Sequence, residues 1–116
     1  MKIAAQSTKL TQVRHKFKAQ SVNDDGHHFA SKLEHAYYCH LKLLQRANAV
    51  LFFLRQVPFS LPGGSKYVCD FQVFCMDGSV EFIEVKGLDT PTGKLKLKQV
   101  EELYPVKIKV VRKGDF

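Results

Sequence analysis

Residues 67–86 constrain the fold of this chain more than any other part of the sequence. Apolar and polar side chains alternate over residues 67–75, and a second such segment, residues 80–86, follows after Met76-Asp77-Gly78. Alternation with a period of two is typical of a half-buried strand, and so short a connection joins antiparallel neighbours. The sequence therefore predicts a β-hairpin in the middle of the chain.

Two carboxylates stand inside this hairpin among apolar neighbours. Asp70 lies in the first predicted strand and Glu84 in the second. A carboxylate on a largely apolar strand is costly unless it is paired with a cation or bound to a metal. Neither carboxylate alone indicates a site. Their relative position decides whether they could form one together.

The length of the turn decides whether the two carboxylates meet. If residues 76–78 form a three-residue loop, with glycine in the left-handed position, Asp70 lies directly opposite Glu84 on one face. A two-residue Asp77-Gly78 turn would instead place Asp70 opposite Val85, with the carboxylates on opposite faces. Glycine at the third loop position favours the first register.

Facing carboxylates repel each other, and a divalent cation removes the repulsion. Ligation by oxygen alone suits Mg²⁺. Lys86 is two residues beyond Glu84 and therefore shares its face, where an ammonium group can hold a water or offset phosphate charge. The residue types also allow a second interpretation, a cross-strand ion pair among Asp70, Glu84 and Lys86.

The remaining elements are predicted from the spacing of apolar residues and from the proline, glycine and capping residues that begin or end helices and strands. Apolar residues at three- and four-residue steps predict a helix over 30–48, with Ser31 and Glu34 as its capping box. The other predicted elements are a strand over 50–61 that Pro58 either confines to a sheet edge or ends locally, a helix over 94–104 after a loop over 87–93, and a strand over 106–110. We therefore expect an α/β (α+β) domain of order αβββαβ, with a mixed central sheet flanked by helices.

Positive charge is concentrated at the two ends of the chain. The 116 residues include 18 Lys+Arg and 11 Asp+Glu, a net charge of +7. Residues 1–20 contain five basic residues and no acidic one, and residues 86–116 contain eight basic and four acidic residues. We predict a basic arm over 1–26 and a folded domain over 27–116. A basic surface favours polyanions, nucleic acid first and an anionic membrane second, although ordinary solubility charge is the alternative.

Cysteine usage and hydropathy indicate the compartment. No apolar run reaches the roughly 18 residues of a membrane helix, and the first residues lack the apolar core of a signal peptide. The three cysteines are an odd number, and neither they nor the five histidines follow a CxxC or HxxxH spacing. The sequence therefore gives no zinc motif, and it predicts a cytoplasmic protein without a membrane partner.

The ordered motifs resemble the PD-(D/E)XK nuclease superfamily. Asp70, thirteen residues and then Glu84-Val85-Lys86 match its signature, with Cys69 in place of the usual proline. Further positions are similar to a small phage-encoded endonuclease family that is related to TnsA-type and Holliday-junction-resolvase-like nucleases. Those positions are Phe29, Ser31, Lys32, Glu34, Gln56, Tyr67, Asp70, Phe71, Glu84, Lys86 and Gly87. The chain departs from the family where Val57, rather than proline, follows Gln56.

The resemblance implies a restriction-endonuclease-like core and a Mg²⁺-dependent DNA endonuclease, in which Mn²⁺ can substitute. Asp70, Glu84 and the carbonyl of Val85 would hold the metal, and Lys86 would orient or activate the attacking water. Glu34 would bind a second metal or a metal-bound water, and a purely capping role is its alternative. No small-molecule cofactor is expected.

The expected partner is DNA, and branched DNA such as a Holliday junction is among the possible substrates. If the chain is phage-encoded, the expected location is the cytoplasm of the bacterial host. The residues expected to contact nucleic acid are Lys16, Lys18, Lys32, Gln56, Lys94, Lys96 and Lys98. A solvated helix face is the alternative for the last three lysines.

One site cuts one strand, so we also expect a homodimer. Two other functions remain open from the sequence: an inactive, basic nucleic-acid-binding module on the same fold, and a phage interaction protein without a cofactor.

Overall fold

The computed structural model describes residues 20–116. Most of the predicted basic arm therefore lies outside the described residues, and Lys16 and Lys18 lie outside them too. Residues 22–29, at the end of the predicted arm and the start of the predicted domain, form a small hairpin. Asp25 and Gly26 at its turn have φ values of 52° and 75°, a left-handed conformation that glycine and aspartate tolerate.

The elements follow the predicted order once this hairpin is passed. In chain order they are β1 (Val22–Asp24), β2 (His27–Phe29), α1 (Lys32–Arg46), β3 (Val50–Ser60), a short 3₁₀ helix (Pro62–Gly64), β4 (Lys66–Cys75), β5 (Val80–Val85), α2 (Pro91–Leu103) and β6 (Ile108–Val111). The predicted αβββαβ core is confirmed from α1 onward. Within the described residues, no helix combines the length and the apolar character needed to cross a membrane.

The four long strands form one sheet of mixed orientation. Its order is β3-β4-β5-β6, with antiparallel pairing as far as β5 and parallel pairing between β5 and β6. Strand β3 lies at an edge and continues through Pro58 to Ser60. Of the two alternatives for Pro58, the edge position is therefore the one observed, because a residue without an N–H group cannot serve a central ladder. The chain must cross over between β5 and β6, and α2 provides that connection.

The hairpin of β4 and β5 has the register that favours a meeting of the carboxylates. The backbone N–H of Cys75 donates to the carbonyl of Ser79 at 2.9 Å, and Gly78 has a φ of 90°. Farther along the ladder Phe71 pairs with Ile83. One more step in the same register places Asp70 opposite Glu84.

Each helix packs on the sheet through its own apolar cluster. Around α1 the buried side chains are Phe29, Tyr37, Tyr38, Leu41, Val50, Phe71, Val73, Ile83 and Val111. Around α2 they are Leu61, Tyr67, Cys69, Val100 and Ile108. Strand β4 contributes to both clusters: Phe71 and Val73 pack in the α1 cluster, and Tyr67 and Cys69 pack in the α2 cluster. Asp70 lies between these two pairs.

Helix α2 begins three residues earlier than the sequence pattern predicts. Thr90 is its N-cap, and the Thr90 hydroxyl accepts a hydrogen bond from the N–H of Gly93 at 3.0 Å. Pro91 occupies the first helical position, where its fixed φ and missing N–H cost nothing. The glycine and proline that suggested a loop over 87–93 therefore belong partly to the first turn of α2.

Candidate active site

Four elements bring the predicted functional side chains together where β4 and β5 separate. Helix α1 provides Glu34, β3 provides Gln56, β4 provides Asp70 and β5 provides Glu84. The ladder between β4 and β5 ends at the Phe71–Ile83 pair. Beyond it the backbone N–H of Val85 donates to Oδ2 of Asp70 at 2.9 Å. The Asp70 carboxylate thus occupies the gap between the diverging strands.

Asp70 is poorly placed to carry a negative charge unless a cation joins it. Burial raises the pKa of this carboxyl to about 7, against the stabilising bond from the Val85 N–H, and the charges of Glu34 and Glu84 raise it further. Among the described residues, no Lys, Arg or His forms an ion pair with Asp70. A divalent cation would favour the ionised form and would lower this pKa.

Glu34 is buried at the start of α1 and faces the same place. Ser31 caps the helix by accepting a hydrogen bond from the Glu34 N–H at 3.1 Å. The Glu34 side chain does not complete the capping box, because its Oε2 accepts from Nη2 of Arg55 and Nε2 of Gln56, both at 3.1 Å. Both bonds fall on Oε2, which leaves Oε1 outside these two interactions.

Gln56 connects Glu34 to Asp70 through a strained backbone. Its Nε2 donates to Oε2 of Glu34 at 3.1 Å and lies 3.5 Å from Oδ1 of Asp70. The φ of Gln56 is 54°, a left-handed conformation that costs about 1–2 kcal/mol for a residue other than glycine. Neighbouring side chains on a regular strand point to opposite faces. The left-handed residue instead lets Arg55 and Gln56 both reach Glu34.

Arg55 neutralises the buried Glu34. Its guanidinium carbon lies 4.1 Å from the ring centre of Phe29, and Nη2 also donates to the carbonyl of His28 at 3.0 Å. The Nε atom of Arg55 is buried and has no hydrogen-bond partner among the described residues. The sequence alone assigns Arg55 no role, because a lone arginine in a β-rich segment carries no signal of its partner.

Glu84 is held from both sides of its carboxylate. The hydroxyl of Tyr67 donates to Oε1, and Nζ of Lys86 lies 3.0 Å from Oε2. Lys86 is only 8% exposed, so its ammonium group depends on this partner. The alternative interpretation as an ion pair is realised between Lys86 and Glu84 but does not include Asp70.

Tyr67 is a site residue that sequence reasoning missed. It belongs to the pattern quoted for the resemblance, three residues before Asp70, but nothing in the sequence assigns it a partner. Burial, with the neighbouring Glu84 carboxylate as the next cause, raises its pKa far above the usual 10. Tyr67 therefore keeps its proton and remains a hydrogen-bond donor to Glu84.

The donor set fits Mg²⁺. The charges of Glu34 and Glu84 both act on Asp70, which has no cationic partner among the residues described. The donor atoms of these three carboxylates do not all lie within 4.8 Å of one another. The N–H and C=O groups of one residue leave an extended strand on the same side. Because the Val85 N–H points to Asp70, its carbonyl also faces β4. Oxygen donors of this kind are those that Mg²⁺ and Mn²⁺ take.

The lysines predicted to contact nucleic acid are less closely grouped than the carboxylates. The first turn of α2 lies beside the site, since a Cβ on Gly93 would be 3.5 Å from Nζ of Lys86. Lys94 is exposed and lies 3.9 Å from Oδ2 of Asp89. Lys96 donates to the carbonyl of Lys66 at 3.3 Å, and the exposed Lys32 and Lys98 lie on separate helices.

A protein family matches most of the chain. Its sequence profile, described as "Protein of unknown function (DUF1064)", covers residues 14–114. A search of curated proteins returned no match. The match spans every element from β1 to β6 and all the side chains that meet at Asp70.

Proposed function

Since the chain belongs to the DUF1064 family of proteins of unknown function, we propose that it is a Mg²⁺-dependent DNA endonuclease of the PD-(D/E)XK type. The observation that carries the proposal is the position of Asp70. This half-buried carboxyl lies just beyond the last β4–β5 pair and accepts the Val85 N–H, has its pKa raised to about 7, and lacks a cationic partner within residues 20–116. Such an arrangement destabilises a folded protein unless a cation is part of it.

The contacts of each residue indicate its role in the proposed site. Asp70, Glu84 and the carbonyl of Val85 would hold Mg²⁺, which supplies Lewis-acid stabilisation of phosphate charge and lowers the pKa of a bound water. Tyr67 fixes the orientation of the Glu84 carboxylate, and Gln56 restrains both Asp70 and Glu34. Glu34 is neutralised by Arg55 through Oε2, and its Oε1 would accept a hydrogen bond from a metal-bound water.

Lys86 supplies the positive charge beside the reacting phosphate. Its ammonium group reaches Glu84 and lies beside the first turn of α2. The N-terminus of a helix also favours phosphate oxygens. A phosphate between Lys86 and this turn would therefore meet two sources of positive potential, and Lys86 could orient a water toward it.

Charge favours DNA as the substrate. The net charge of +7 and the lysines of α2 suit a polyanion, and phosphodiesters are the anions that a metal and a buried lysine hydrolyse together. We further propose selectivity for branched DNA, such as a Holliday junction, and a bacterial cytoplasm as the place of action if the chain is phage-encoded. Both rest on the resemblance of the motifs.

A catalytically inactive DNA-binding module is the second candidate. The Glu84–Lys86 ion pair favours it, because a lysine paired at 3.0 Å with a ligand carboxylate also satisfies that carboxylate without any metal. This candidate predicts salt-sensitive DNA binding that does not depend on Mg²⁺ and leaves the DNA intact.

Cleavage of linear, nicked, flapped and four-way DNA with Mg²⁺, compared between the unaltered protein and Glu84→Gln, tests the proposal. Cleavage should require Mg²⁺ and should disappear in Glu84→Gln while DNA binding persists. Glu81→Gln is the matched control, because Glu81 lies on the same strand but is exposed. Cleavage by Glu84→Gln at an unaltered rate would contradict the proposal, and binding without cleavage of any substrate would favour the inactive module.

A further inference from the structure

A second group of metal-ligating side chains lies away from the carboxylates around Asp70. Asp24 on β1 and His35 and Cys39 on α1 place one donor atom each within 4.8 Å of the other two. We call these three residues the Asp24–His35–Cys39 cluster. It combines a carboxylate, an imidazole and a thiol, a different chemistry from the all-oxygen set of the candidate active site.

The helix presents two of these ligands on one face. His35 and Cys39 are four residues apart, which is about one helical turn. Nε2 of His35 lies 3.6 Å from Sγ of Cys39. The zinc motifs absent from the sequence are paired cysteines and paired histidines, and a histidine followed by a cysteine at this spacing matches neither.

The β1–β2 hairpin brings the third ligand from another element. Oδ2 of Asp24 lies 2.8 Å from Nε2 of His35. The turn is held nearby by a second contact, in which the hydroxyl of Tyr38 donates to Oδ2 of Asp25 at 2.9 Å. Asp24 is therefore fixed beside the helix by the hairpin and not only by its own side chain.

The distances match a tetrahedral metal site after a small adjustment. Bonds of about 2.0–2.1 Å to nitrogen or oxygen and about 2.3 Å to sulfur place tetrahedral N and S ligands about 3.6 Å apart, and N and O ligands about 3.3 Å apart. The observed nitrogen–sulfur distance already agrees. The nitrogen–oxygen distance must lengthen by about 0.5 Å, and the exposed Asp24 side chain can move that far.

We propose that the Asp24–His35–Cys39 cluster binds one Zn²⁺ ion, with water as the fourth ligand. The thiolate and the carboxylate balance the two charges of the ion, and a thiolate–imidazole pair selects Zn²⁺ over Mg²⁺. Binding releases the thiol proton of Cys39 and any proton on Nε2 of His35. The bound ion ties the β1–β2 hairpin to α1, and the same hairpin meets Arg55 through the carbonyl of His28.

Titration of the untagged, metal-free full chain with Co²⁺ tests the proposal without DNA. Co²⁺ replaces Zn²⁺ in such sites, and a thiolate ligand gives a charge-transfer absorption that carboxylates cannot give. We expect one equivalent of Co²⁺ to produce this absorption and Zn²⁺ to displace it. At a Zn²⁺ concentration of about 100 times Kd, Tm should rise on the order of 10 °C.

The variants locate the ion. Cys39→Ser should abolish the absorption and the rise in Tm, whereas Cys75→Ser, which changes another free cysteine, should keep both. His35→Gln leaves the thiol in place and should weaken binding at least about 10-fold, so the test survives if Cys39→Ser does not fold. The proposal is overturned if the unaltered protein gives no thiolate absorption, or if the absorption persists in Cys39→Ser or is unchanged in His35→Gln. Asp70→Asn should leave the signal intact, which separates this site from the proposed nuclease site.

Discussion

Tyr67 on β4 donates its hydroxyl hydrogen to the carboxylate of Glu84 on the neighbouring strand β5. The bond joins a side chain of the α2 cluster to a carboxylate proposed to hold Mg²⁺. It explains how a half-buried glutamate keeps one orientation while Lys86 occupies its other oxygen. Second partners of this kind commonly decide how well a ligand binds its metal.

Tyr67→Phe tests this relationship by removing one oxygen. Loss of the donor frees the Glu84 carboxylate to rotate, so Mg²⁺ affinity and cleavage should fall by about 10–100-fold. Isothermal titration with Mg²⁺ and a cleavage assay measure the two effects. Tyr104→Phe is the control, because the Tyr104 hydroxyl donates to the carbonyl of Ser60 instead. Equal losses in both variants would make the effect one of general stability.

Lys86→Ala should reduce turnover by about 100-fold or more while Mg²⁺ affinity is little changed. In the proposed mechanism the ammonium group would act on the water or on phosphate charge, and its removal also takes a positive charge away from Glu84, the proposed metal ligand. Steady-state cleavage and titration calorimetry separate turnover from metal binding. Lys94→Ala, which changes an exposed lysine on α2, is the comparison. A matching loss of Mg²⁺ affinity in Lys86→Ala would assign the lysine a structural role.

The metal-free protein should lose stability as pH rises from about 4 to about 7. The pKa of Asp70 is raised to about 7 from 3.8, so the folded state holds a proton that the unfolded state has released in this range. Asp70→Asn removes this dependence and should be more stable than the unaltered protein at pH 8, by up to about 4 kcal/mol. At pH 3 Asp70 is protonated in both the folded and the unfolded state, so its raised pKa should contribute no difference in stability.

Urea unfolding in the presence of a chelator measures the Asp70 effect. Asp77→Asn is the control, because hydrogen bonds from Ser79 lower the pKa of Asp77 and give the opposite sign. That carboxylate contributes stability above its unfolded pKa, and the contribution is lost as pH falls. If both substitutions changed the pH slope of the unaltered protein in the same direction, the raised pKa of Asp70 would be refuted.

Deleting residues 1–20 should flatten the salt dependence of DNA binding without unfolding the domain. The deletion removes five positive charges, and the slope of log K against log[salt] falls in magnitude by about 0.9 for every phosphate that is no longer neutralised. Fluorescence anisotropy across a salt series measures the slope, and thermal unfolding checks the domain. An unchanged slope would mean that these residues do not bind phosphate.

The protein should form a homodimer when it makes paired cuts across a junction. Leu43 on α1 and Leu51 and Leu54 on β3 are each about half exposed, and apolar surface of this kind suits an interface. Leu54→Lys should shift the molecular mass measured by light scattering toward the monomer, whereas Leu95→Lys on α2 should not. Paired cuts by a protein that stays monomeric with and without DNA would contradict this expectation.

Several features of the fold follow from local sequence signals. The three-residue loop ending in Gly78 determines the register of β4 and β5, because its left-handed conformation closes a hairpin of one length only. Ser31 caps α1, and Pro58 marks an edge strand. The first turn of α2 was missed, since Pro91 and Gly93 have the composition of a loop and only the Thr90 cap shows that they begin a helix.

The sequence by itself determined the hairpin and favoured, of two registers, the one that sets Asp70 opposite Glu84, because turn geometry and strand periodicity are local. Tertiary structure alone decided the partners: the Tyr67 hydroxyl on Glu84, Arg55 and Gln56 on Glu34, and Asp24 beside His35. Such pairings depend on how far strands diverge and on how a helix docks against a sheet. Those distances come from packing of the whole core, and no spacing along the chain encodes them.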